Sequence, residues 1–151
     1  MSEGYSLECW TDGSTIKYKG KGRGECGIGF AVTDGAHMLF CVGEYIGFQT
    51  SNYAEFYAVL RCLESIVERI EGDVDSLTIY SDSEVLVKGL SGEYEISSEN
   101  LVDLVERIED TYSSLPAEPS YQWTRSHSGD KMNEFVDLLA YTCSTGYPYD
   151  D

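Results

Sequence analysis

The sequence predicts an α/β fold: a five-stranded mixed sheet, a three-stranded antiparallel meander plus two parallel strands, flanked by helices in the order βββαβααβα. Three observations carry this. Three apolar, β-prone segments follow one another between residues 5 and 46 with short connections. The apolar period then changes to 3.6 residues from Phe56 onward. After that, strands alternate with helices, and a strand–helix–strand crossover sets parallel strands beside the meander.

The first strand is read at Tyr5–Thr11, rich in aromatic and apolar residues, and the second at Gly27–Thr33 (GIGFAVT). Asp34-Gly35 is a hairpin signal leading to a third strand at Met38–Ile46. Phe56, Val59, Leu60, Leu63, Val67 and Ile70 line one face of a helix that Gly72 and Asp73 end. Leu77–Tyr80 is a short buried strand, followed by a helix from about Ser83 to Leu90 that Ser91-Gly92 breaks. Leu101, Leu104, Val105 and Ile108 mark the next helix, Tyr121–Thr124 the last strand, and Met132, Phe135, Val136 and Leu139 the final helix. Residues 1–143 thus form one domain. Residues 144–151 have no periodicity and are expected to be a mobile tail.

A chain of 151 residues can bury a core without staples. Its 42% hydrophobic and 13% aromatic content excludes a disordered chain. No apolar run approaches the ~20 residues of a membrane span, and Met1–Leu7 lacks the pattern of a signal peptide. A cytoplasmic protein without membrane attachment is expected, and no protein partner is implied. Cys9, Cys26, Cys41, Cys62 and Cys143 are odd in number and lack C-x-x-C spacing, so buried free thiols are expected rather than disulfides or a zinc site.

Ten Lys and Arg face 27 Asp and Glu, a formal net charge of −17. Nucleic-acid binders usually carry the opposite sign. Two readings are open: a halophilic protein adapted to a high-salt cytoplasm, where counterions screen the repulsion, or a protein that never touches nucleic acid. Lys17, Lys19, Lys21 and Arg23 fall within seven positions among Gly20, Gly22 and Gly24, forming either a basic contact loop or a solvated hairpin tip.

Four carboxylates stand at informative places: Asp12 at the end of the first strand, Glu55 at the start of the first long helix, Asp82 at the end of the fourth strand, and Asp137 in the last helix. Each has an ordinary reading. Asp12-Gly13 makes a turn, Glu55 completes a capping-box-like start with Asn52, Asp82 caps the next helix, and Asp137 is solvated. Together they read differently. Asp12 and Asp82 end strands that a crossover sets side by side, and sites on such sheets lie beyond the strands' carboxyl ends. Clustered carboxylates repel, so such a cluster serves to hold cations, and all-oxygen ligands favour Mg²⁺ or Mn²⁺.

Five segments, in order, carry a resemblance to a known family: WTDGS at 10–14, GIGF at 27–30, TSNYAE at 50–55, YSDSE at 80–84 and HSGDKMNEFVDLLA at 127–140. From Tyr5 to Cys143 the chain resembles the type 1 ribonuclease H family. The resemblance implies a ribonuclease H-like fold. It also implies an endonuclease that hydrolyses the RNA strand of RNA–DNA hybrids with two Mg²⁺ ions, Mn²⁺ substituting, and leaves 3′-OH and 5′-phosphate ends. It assigns the metals to Asp12, Glu55, Asp82 and Asp137. Asp12 bridges both ions, Asp137 helps hold the one carrying the attacking water, and Glu55 and Asp82 hold the one near the leaving 3′ oxygen. His127 matches a loop histidine that assists proton transfer or product release; otherwise it reads as an exposed loop residue. Thr50, Ser51 and Asn52 match a segment that grips the DNA-strand phosphate, although an ordinary helix start reads the same way. Gly13, Ser14 and Glu84 match positions near the RNA 2′-hydroxyls.

Two departures stand out. Glu84 replaces the amide of many members, so it accepts but does not donate a hydrogen bond. GLSGEYEISSEN at 89–100 is acidic and short where some members carry a basic protrusion. The grip on substrate is therefore expected from the active-site face and from Lys17, Lys19, Lys21 and Arg23. Two alternatives remain: a DNA-acting nuclease or transposase-like protein on the same fold, and a non-catalytic acidic binding protein.

Overall fold

The computed structural model describes residues 4–17, 23–115, 117–125, 131–145 and 149–150, with Lys17 and residues 149–150 described by backbone alone. The described elements are β1 (Tyr5–Lys17), β2 (Arg23–Asp34), β3 (His37–Thr50), α1 (Ser51–Arg69), β4 (Val74–Ser81), α2 (Glu84–Leu90), α3 (Glu99–Tyr112), β5 (Pro119–Trp123), α4 (Lys131–Ser144) and β6 (Tyr149–Asp150). They form one sheet in the order β5-β4-β1-β2-β3-β6. β1, β2 and β3 are the antiparallel meander, while β4 lies parallel to β1, and β5 to β4. The five-stranded mixed sheet is therefore present. A short sixth strand comes from the segment expected to lack structure. Ser144 completes α4, and Tyr149 and Asp150 pair with Gly43 and Val42 on the outer edge of β3, where backbone groups are otherwise unpaired.

The meander strands outrun their apolar stretches. β1 pairs with β2 from Leu7↔Asp34 to Lys17↔Gly24, and β2 with β3 from Arg23↔Thr50 to Asp34↔His37. Ladder hydrogen bonds satisfy every backbone group whatever side chain it carries, so pairing continues through polar residues. Asp12 consequently does not end β1. The parallel ladder with β4 stops at Trp10↔Tyr80, and Asp12 lies on the stretch of β1 that continues beyond it.

Alternation along β1 divides the core. Cys9 packs with Phe56, Val59, Leu63, Leu104 and Ile108 beneath α1 and α3, whereas Trp10 packs with Ala31, Cys41, Val136 and Leu139 beneath α4. Helices thus cover both faces, and Asp12 faces α4 while Gly13 faces α1. Close seating of α4 explains the glycines of the GIGF segment: a Cβ on Gly27 would strike the backbone of Ala140 and Ser144, and one on Gly29 would lie 2.7 Å from the Val136 carbonyl oxygen. All five cysteines are buried, and none forms a disulfide among the described residues. Among the described residues no helix is long and apolar enough to cross a membrane.

Candidate active site

Asp12 is held where β1, β4 and α1 meet. The Thr11 hydroxyl donates to the Tyr80 carbonyl at 3.3 Å, pinning β1 to β4 beside it. Gly13 lets α1 approach: a Cβ there would stand 2.6 Å from the Ala54 carbonyl carbon and 2.7 Å from the Glu55 nitrogen. The Gly13 N–H then reaches Asp12 Oδ1 at 2.9 Å and also Glu55 Oε1. Thr50, not Asn52, caps α1, its hydroxyl accepting from Tyr53 N at 3.2 Å. Because the helix starts earlier than its apolar pattern shows, Glu55 stands past the first turn and is released from a capping role. Asp82 is likewise not a cap. Ser83 caps α2 by accepting from Leu86 N at 3.2 Å, and Asp82 occupies the junction between β4 and α2.

One carboxylate oxygen from each of Asp12, Glu55 and Asp82 lies within 4.8 Å of the others. Asp12 is only 3% exposed, and its Oδ2 is buried without a hydrogen-bond donor among the described residues. Burial, then the charge of Glu55, then that of Asp82 push its carboxyl up to about 12, and Asp137 on α4 comes within hydrogen-bonding reach of it. Burial also raises Glu55, to about 8, against the Asp12 and Gly13 hydrogen bonds that favour its charge. Burial and crowding among the carboxylates thus penalise the charged forms of both Asp12 and Glu55. A buried oxygen lacking any donor, facing two further carboxylates, is what a divalent cation would satisfy. The all-oxygen set suits Mg²⁺ or Mn²⁺. Asp137, half-buried, stands outside the 4.8 Å trio.

The remaining expected residues are distributed around this cluster. Gly13 spends its N–H on the carboxylates, and Ser14, half-buried, follows on β1. Ser51 and the exposed Asn52 form the first turn of α1. The sheet register sets exposed Arg23 opposite Thr50, and Lys17 opposite Gly24. The root of the basic hairpin thus lies beside the start of α1. Glu84 opens α2, exposed, with its carboxylate 2.6 Å from Lys88 Nζ. His127, Lys19 and Lys21 lie outside the described residues. Two contacts had no signal in the sequence. Buried Asn133 accepts from the Thr124 hydroxyl at 3.4 Å, latching α4 to the strand exit one turn before Asp137. Trp123 donates its indole N–H to the Asp82 carbonyl at 3.2 Å. An aromatic residue in a strand reads as core, so neither its exposure nor this bond was visible beforehand.

Residues 5–144, nearly the whole chain, match the model of the RNase H family. The chain belongs to the RNase H family. This ribonuclease H, a hydrolase, is 31% identical over 156 residues to the ribonuclease H of Anaeromyxobacter sp. (strain K), spanning 91% of this chain and 79% of the relative. To that of Albidiferax ferrireducens it is 28% identical over 147 residues, spanning 89% and 91%. Among solved structures, RNase H1 from the halophilic archaeon Halobacterium salinarum NRC-1 superposes with a TM-score of 0.79 at 20% identity, covering 94% of this chain and 99% of that one. LC11-RNase H1 in complex with an RNA/DNA hybrid gives 0.78 at 22% identity, covering 93% and 98%. At such identities the superpositions establish the fold.

Proposed function

We propose that this ribonuclease H is an endonuclease that cuts the RNA strand of RNA–DNA hybrids with divalent cations, leaving 3′-OH and 5′-phosphate ends. The observation that carries the reading is the buried trio Asp12, Glu55 and Asp82 with its partnerless Asp12 Oδ2. Asp12, Glu55, Asp82 and Asp137 would hold two Mg²⁺ ions, or Mn²⁺ in their place. When bound, the ions supply an activated water and neutralise charge building on the scissile phosphate and the leaving oxygen. The chain's own residues do the rest. Asp12, buried on the α4 face, faces carboxylates from α1, the β4–α2 junction and α4. The Gly13 N–H keeps Asp12 and Glu55 in one orientation. Ser14 and Glu84 lie where the resemblance puts the RNA 2′-hydroxyls. Thr50, Ser51 and Asn52, with Arg23 beside them, form the surface for the DNA-strand phosphates, joined by Lys17, Lys19 and Lys21 of the same basic sequence stretch. His127 assists proton transfer or product departure. The RNA/DNA hybrid bound by the structurally similar LC11-RNase H1 supports the choice of substrate. Residues 1–143 form the catalytic unit, and the enzyme acts in the cytoplasm.

Incubation with labelled RNA–DNA hybrid, RNA duplex and DNA duplex, with and without Mg²⁺, tests this. Cleavage confined to the RNA strand of the hybrid and requiring the ion is expected. Cleavage of DNA duplex, or metal-independent cleavage, overturns it.

A further inference from the structure

We propose that Trp123 is a positioning residue for the cation site: its indole N–H holds the backbone of Asp82 and so aims the third carboxylate. This rests on the cation reading above. Asp82 belongs to no regular element. β4 ends at Ser81 and α2 begins at Glu84, with Ser83 as its cap. A carboxylate at such a junction has backbone freedom that Asp12, inside a strand, and Glu55, inside a helix, lack. It also lies against both of those carboxyl groups, one oxygen of each within 4.8 Å of the others. The junction is tied down from β5. Trp123 stands opposite Ser81 in the parallel register. Just beyond it, Thr124 N donates to the Ser81 carbonyl at 2.8 Å, while Ser83 N donates to Ser81 Oγ at 3.1 Å. These bonds fix the residues before and after Asp82. The Trp123 N–H, at 3.2 Å from the Asp82 carbonyl, fixes Asp82 itself.

Burial does not account for this tryptophan. It is 43% exposed at the end of an edge strand, whereas Trp10 is 9% exposed and stacks on Tyr80 with centroids 4.2 Å apart. A phenylalanine would cover the same surface; what indole adds is the donor. Groups that orient a metal ligand through hydrogen bonds typically change metal affinity by about 10–100-fold when lost. Because this bond reaches the ligand through its backbone, the lower end of that range is expected.

The test is Mn²⁺ titration calorimetry on the full chain. It compares the wild type with W123F and with a chain carrying 3-benzothienylalanine at position 123 alone, a ring of indole shape with sulfur in place of N–H. We expect both changes to weaken Mn²⁺ binding about tenfold and to move the metal-free Tm by less than ~2 °C. The Mg²⁺ concentration for half-maximal cleavage should rise by the same factor, with kcat recovering at saturating Mg²⁺. A tryptophan that merely packs would be replaced by the benzothienyl ring without effect. Wild-type Mn²⁺ affinity in that variant overturns the proposal even if W123F fails to fold. Wild-type protein that binds no Mn²⁺ removes the cation reading and this inference with it; binding by the wild type and the benzothienyl variant alike removes only the inference.

Discussion

Replacing Asp12 by Asn should stabilise the metal-free protein at pH 8 while abolishing cleavage. The folded state keeps a proton on Asp12 up to about pH 12, whereas the unfolded chain releases it near the ordinary 3.8. Between those values the native state binds more protons than the unfolded state, so stability falls as pH rises. At pH 8 the span from 3.8 is about four pH units, a ceiling of roughly 6 kcal/mol at about 1.4 kcal/mol per unit. Relaxation and water penetration reduce such penalties, leaving on the order of 2–4 kcal/mol. Asparagine escapes this cost. Its Oδ1 still accepts from Gly13 N, as Asp12 Oδ1 does at 2.9 Å, and its amide nitrogen, in place of the partnerless Oδ2, presents a donor to the neighbouring carboxylates. For a domain of this size 1 kcal/mol moves Tm by about 2–4 °C, so a rise of roughly 5–15 °C is expected at pH 8, shrinking towards zero near pH 4. Millimolar Mn²⁺ should raise the Tm of the wild type and barely move that of the variant. Thermal unfolding followed by circular dichroism at pH 4.5 and pH 8, with and without Mn²⁺, checks all of this. A variant no more stable than wild type at pH 8, or equally stabilised at both pH values, refutes the reasoning. More than a few per cent residual cleavage in Mg²⁺ removes Asp12 from the chemistry.

Three further outcomes are expected. His127→Ala should slow turnover by ~10²–10⁴-fold at most without abolishing it, because proton transfer is a smaller contribution than the cations make; a completely inactive, folded variant in single-turnover assays would assign His127 an obligatory role. Gly13→Ala should lose roughly 1–3 kcal/mol, since its Cβ meets α1 backbone rather than a movable side chain; an unchanged urea midpoint would show that β1 and α1 separate easily. Molar KCl should raise the melting temperature by screening the −17 net charge, and a flat or falling Tm from 0.05 M to 2 M would sink the high-salt explanation. In the same series, changing Lys17, Lys19, Lys21 and Arg23 to Gln should raise KM, whereas an unchanged KM would make the hairpin a solvated tip.

The sequence was most legible where side-chain pattern and structure are coupled. Three meander strands, the crossover and the amphipathic helices follow from apolar periodicity, and the carboxylates were found because they sit inside segments of recognisable order. What stayed hidden was set by backbone pairing and by single polar contacts. Strand β1 was expected to stop at Thr11 and runs to Lys17, since the ladder to β2 depends on a partner strand that no local pattern reveals. Thr50, Ser51 and Asn52 all read as a helix start, and the cap is Thr50; these residue types all cap well, and only the path of β3 decides between them. β6 had no signal because two residues against an edge need no periodicity. The glycines at 27 and 29 were visible as a motif, but their reason, the backbone of α4 lying against them, required the tertiary structure.

The distribution of charge bears on how so acidic a chain can act on a polyanion. Glu99, Asp103, Glu106, Glu109 and Asp110 are all exposed on α3, and Glu64 and Glu68 lie on α1 beside it. These side chains belong to the helical layer on the α1 face of the sheet, whereas Asp12 opens towards α4 on the other face. With a Debye length of about 8 Å at 0.15 M salt, charges across the thickness of a domain barely act on a ligand at the site. The exposed cations of the opposite side have more local weight than their number suggests. Arg125 follows β5, Lys131 opens α4, and Arg23 stands opposite Thr50. The near charges also oppose one another less than a simple count implies. Burial and the neighbouring carboxylates favour the neutral form of Asp12, and a divalent cation held there would supply a larger positive charge than a proton does. A net charge of −17 therefore bears on the far surface and the salt response of the fold, while the potential that a phosphate would meet at the site would be set by cations held there and the few basic residues around them.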